Sequence, residues 1–119
     1  MARSAVTVAK VLKYNTLYEI TGDAIDLSND HEISLAGCPD GKLAIVIAET
    51  GNVANIAVTV KAGDYSAGAK DLSLTVTKNK TYGVTFESSK YKDSDGNILI
   101  DLASTGAATG EILAVCLPG

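Results

Sequence analysis

The only histidine, His31, sits in Ser28-Asn29-Asp30-His31-Glu32, and an adjacent carboxylate is what orients an imidazole as a general base. A base of that kind needs a nucleophile in a defined frame. The GxSxG elbow, the GxxxxGK[ST] phosphate cradle and the GxGxxG turn are all missing. His31 therefore reads as part of a polar surface loop, and no catalytic residue is expected. Asp93-Ser94-Asp95-Gly96-Asn97 carries the alternating oxygens of a calcium loop. Setting Gly96 at the invariant glycine, however, puts Tyr91 at the first ligand position and Leu102 where a bidentate Glu is required. The segment reads as a tight turn. Cys38 and Cys116 lack CxxC spacing and, with one histidine, cannot assemble a four-ligand zinc site. No metal and no cofactor are expected. Cys116 lies in the apolar run Ile112 to Leu117, where a reduced thiol filling core space is favoured over a disulfide. Lys78, Lys80, Lys90 and Lys92 form the one basic cluster, diluted by Glu87, Asp93 and Asp95, and read as a solvated strand end. Asn79-Lys80-Thr81 is a formal glycosylation sequon with no signal peptide to route it.

The elements that would position these residues are strands. Ile56, Val58 and Val60 alternate with Ala57 and Thr59, and Leu72, Leu74 and Val76 alternate with Ser73 and Thr75. The same two-residue period runs through Tyr82, Val84 and Phe86 and through Ile98, Ile100 and Leu102. Leu43 to Ala48 and Glu111 to Leu117 are apolar on both faces, as central strands are. Gly- and Asn-rich turns separate these runs. The pattern predicts an all-β protein: a single antiparallel sandwich, immunoglobulin-like or jelly-roll-like, with about seven to nine short strands.

The first third of the chain is less regular. Tyr18-Glu19-Ile20 and Ala24-Ile25-Asp26-Leu27 read as short strands around a Thr21-Gly22-Asp23 turn. Residues 1–14 read as an N-terminal arm or a first strand, with 15–119 forming the sandwich domain. Val6, Val8, Val11 and Leu12 are the candidate contact residues of such an arm, able to add a strand to a partner's sheet edge. With 119 residues, one domain is the expectation. A net charge of -4 gives no footprint for nucleic acid or an anionic membrane, and 5% aromatic residues leave little for base stacking. No run approaches the length of a secretory core or a membrane span.

The run Asn55-Ile56-Ala57-Val58-Thr59-Val60-Lys61-Ala62-Gly63-Asp64, the strand Lys70-Asp71-Leu72-Ser73-Leu74-Thr75-Val76, and the sequel Phe86 to Lys92 with Asp95 to Ile100 carry a resemblance. Closing on Cys116-Leu117-Pro118-Gly119, about two thirds of the chain resembles the capsid decoration (head-stabilising) proteins of tailed bacteriophages and prophages. That resemblance implies a non-enzymatic virion protein, made in the host cytoplasm without a signal peptide and carried on the capsid surface. Its partner would be the major capsid protein, with a homo-oligomer such as a trimer on the shell, and no nucleic acid or membrane. The alternative is a tail, baseplate or surface-binding module of the same β class.

Overall fold

The computed structural model describes residues 3–6, 8–19, 21–35, 38–39, 41–64, 70–85 and 90–118. They form ten strands: β1 (Ser4–Ala5), β2 (Val8–Val11), β3 (Asp23–Ala24), β4 (His31–Ser34), β5 (Leu43–Glu49), β6 (Ile56–Val60), β7 (Leu72–Val76), β8 (Thr81–Thr85), β9 (Asn97–Ser104) and β10 (Gly110–Cys116). Two sheets face each other. One has the order β1-β4-β9-β6-β7 and the other β2-β10-β5-β8, with β3 also paired to the start of β10. The protein is an all-β sandwich, and no α-helix occurs among the described residues.

The alternation read from sequence sets the layers. Ile56, Val58 and Val60 of β6 and Ile98, Ile100 and Leu102 of β9 point inward and are buried. They meet Leu43, Ile45 and Ile47 of β5 and Ile112, Ala114 and Cys116 of β10 in one core. β-branched side chains suit this pleated, interdigitated interior. The pairings are antiparallel except for two: β1 runs parallel to β4, and β2 parallel to β10. Both parallel pairs come from the N-terminal segment, which lies on the edge of one sheet, crosses at Val6 and lies on the edge of the other.

Several expectations change here. Tyr18 and Glu19 are not in a strand, Ile20 lies outside the described residues, and Thr21 to Asp23 is no hairpin turn, because Asp23–Ala24 pairs with Ile112 and Glu111 of β10. His31 and Glu32, read as the end of a polar surface loop, instead open β4, whose His31 and Ile33 face inward. Phe86 of the third alternating run lies outside the described residues. The two cysteines are joined: Cys38 and Cys116 form a disulfide with Cα atoms 5.9 Å apart. The expectation of a reduced thiol fails because the turn after β4 brings Cys38 against the last residue of β10. There Cys116 pairs with Leu43, and Leu117 N–H donates to the Lys42 carbonyl at 2.7 Å.

Candidate functional site

His31 is fully buried at the head of β4. Its Nε2 accepts the Asp26 N–H at 2.9 Å, while Nδ1 is buried without a hydrogen-bond partner. The surface-loop reading is overturned, since the ring is part of the interior and holds the preceding loop. Asp26 in turn accepts the Ser4 hydroxyl at 2.6 Å, the N–H groups of Ser28 and Asn29, and the Asn29 side-chain amide. The Ser4 hydroxyl, followed by Asn29, lowers the Asp26 pKa to about 2. Such a carboxylate, saturated with donors, is a strut and a poor proton acceptor.

Glu49, at the inward-facing end of β5, is the second buried polar side chain, and nothing in the sequence marks it. Its oxygens accept N–H groups from Asn52, Val53, Ala54 and Asn79 at 2.7, 2.9, 3.4 and 2.9 Å. Burial pushes its pKa up, and these backbone donors outweigh that and hold it below the usual range. Glu49 thereby pins two loops at one end of the sandwich. Asp93 does the same for its turn, its Oδ1 accepting Asp95 and Asn97 N–H at 2.9 Å with Gly96 at φ 82°. No group of three or more metal-ligating side chains occurs among the described residues. The lysines separate: Lys78 donates its N–H to Asn55 just before β6, whereas the carbonyls of Lys90 and Lys92 accept Gly63 and Asp64 N–H just beyond its other end.

The candidate arm residues are distributed differently from one another. Val6 is 4% exposed and belongs to the core, and Val8 packs against it. Leu12 is half-buried and its N–H donates to the Cys116 carbonyl at 2.9 Å, while the side chain of Val11 lies outside the described set. Three exposed apolar residues follow Leu12 closely: Tyr14, Leu17 and Tyr18 at 73, 99 and 38% exposure.

A broader apolar surface is the outer face of the β2-β10-β5-β8 sheet. Residues between the inward-facing ones point outward: Ala44, Val46 and Ala48 on β5, and Leu113 and Val115 on β10, all half-buried. Val46 pairs with Leu113 on one side and Gly83 on the other, and Ala44 pairs with Val115. No third layer of strands is described over this face. The outer face of the opposite sheet is polar by comparison, with Ser73, Thr75, Thr59, Glu32 and Asp101 on it. The runs that are apolar on both faces are thus central strands whose second face is exposed to contact. The sandwich thus carries an apolar outer face on one sheet and a more polar one on the other.

The fold and these surfaces define an all-β sandwich with one apolar outer face and no assembled catalytic group among the described residues. Comparison with known family models, curated proteins and solved structures finds no match to this chain.

Proposed function

We propose that this protein is a non-enzymatic virion structural protein, a capsid decoration protein that docks on the major capsid protein and stabilises the phage head. The observation that carries the reading is the apolar outer face built on Val46, Leu113, Ala44 and Val115, joined to the resemblance of residues 55–64, 70–76, 86–92 and 95–100 to that class. Burial of apolar area contributes about 25 cal/mol per Å², so a modest face repeated over many copies resists expansion of a shell without any single strong contact. The half-buried carboxylate of Asp26 and the buried one of Glu49 are consistent with a rigid scaffold, since both are consumed in fixing loops.

Co-sedimentation with intact heads tests this. The native chain should pellet with heads in near-stoichiometric amounts. Val46→Lys and Leu113→Lys should abolish pelleting, while Thr75→Lys on the polar face should leave it unchanged. Absence of the native chain from heads, with a few copies found on tails or bound to cell-surface glycans, would overturn the proposal in favour of a tail or surface-binding module.

A further inference from the structure

Among the described residues β8 is the outermost strand of its sheet, and no strand or charged side chain of its own protects its outer edge. Thr81-Tyr82-Gly83-Val84-Thr85 has no charge and no proline, although edge strands are normally short, bulged or charged to prevent pairing. The hydrogen-bond register identifies which backbone groups are free. Glu49 N–H donates to the Lys80 carbonyl, so the alternation of an antiparallel ladder turns Tyr82 and Val84 toward β5. The N–H and C=O groups of Thr81, Gly83 and Thr85 then point away from the sheet, a five-residue stretch with three donors and three acceptors. Gly83 itself has no local reason to be glycine. Its φ is not positive, and a Cβ built there would lie 3.9 Å from its nearest neighbours. A glycine inside a strand often marks a site where another backbone approaches closely.

The inner face of this edge is equally open. Tyr82 is 42% exposed although it pairs with the buried Ile47. It lines an apolar cleft with Val84, Leu74, Val76, Val58 and Ile47 where the two sheets part.

We propose that the occupant of this edge is a second copy of the chain, paired β8 to β8 in antiparallel fashion about a twofold axis at Gly83. In that register Gly83 faces its own copy and Thr81 faces Thr85. All three outward-pointing residues then fall in hydrogen-bonded pairs. Tyr82 meets the partner's Val84 on the inner face, an aromatic against β-branched pair of the favourable kind, and each Tyr82 closes the other copy's cleft. Charge permits it: the two Lys80 residues lie at opposite ends of the pair, about 20 Å apart at 3.4 Å per residue and well beyond the screening length. The pairing joins two β2-β10-β5-β8 sheets into one and sets their apolar outer faces side by side. It does not depend on what those faces meet.

Sedimentation equilibrium of the full chain across a concentration series gives the test. The native protein should pass from the 12.2 kDa monomer to twice that mass, with amide exchange at Thr81, Gly83 and Thr85 slowing as the dimer fills. Gly83→Pro removes an N–H that faces away from β5, where an edge strand tolerates proline. It should stay folded and lose the dimer. Thr85→Lys, on an exposed side chain, provides the same readout if the proline variant does not fold. A native chain that stays monomeric at every concentration, that forms a trimer, or that remains dimeric in the folded variants would overturn the proposal.

Discussion

The two long sides of the sandwich are closed by opposite means. On one side run β1 and β2, only two and four residues long, the latter with a register shift opposite β10. Side chains tie this side down. Arg3 reaches Asp101 at 2.7 Å and the carbonyls of His31 and Ile100, Ser4 binds Asp26, and Val6 is buried beneath. On the other side β8 keeps a continuous uncharged edge with its backbone groups unspent. A short edge can be made safe by anchoring, whereas an uncharged edge without a proline is a template for pairing with another chain. The first side holds the fold together, and the second is available for assembly.

The largest expected effect comes from breaking the anchored side. Deleting residues 1–13 removes Val6 from the core and exposes the flanks of β4 and β10. Urea denaturation should show an unfolded chain or a loss of several kcal/mol. A truncated protein with unchanged stability would mean that the anchored side is dispensable. Next comes the Cys38–Cys116 bond, which ties the end of β10 on this same side to the turn after β4. It closes a loop spanning 78 residues, and reduction should cost about 4.5 kcal/mol on the chain-entropy account, read as a lower denaturation midpoint with an otherwise two-state transition. The smallest effect is that of acid. The Asp26 pKa falls from 3.8 to about 2 on folding, so its contribution is complete above about pH 5 and is lost as pH drops through the folded value. Glu49, also lowered, acts with the same sign. Melting temperature should therefore fall below about pH 4, and Asp26→Asn should flatten part of that fall while lowering stability at neutral pH.

β6 to β9 were legible because their inward residues alternate along a two-residue period, and β5 and β10 because they are short runs apolar on both faces. β4 was not, because Asp30, Glu32 and Ser34 surround His31 with polarity. The hidden signal was the alternation His31, Ile33, Leu35, all buried. Glu49 could not be read at all: a buried carboxylate becomes reasonable only when N–H groups from residues 52–54 and from Asn79 converge on it, and that convergence is tertiary. The disulfide is hidden for the same reason, its partners being far apart in sequence. The apolar outer face was visible as runs without a polar side. Period alone did not tell a covered face from one left open.

The parallel pairing of β2 with β10 also sets an order of events in time. β2 emerges from the ribosome about a hundred residues before its partner, several seconds at ordinary elongation rates. Until Gly110 to Cys116 is made, Val8 has no strand to lie against and β5 lacks its inner neighbour. The early segment must wait, bound to β4 at most, while the sheet assembles beyond it. Sandwiches dominated by such distant pairings fold in milliseconds to seconds, and here β10 completes the seam that β2 began.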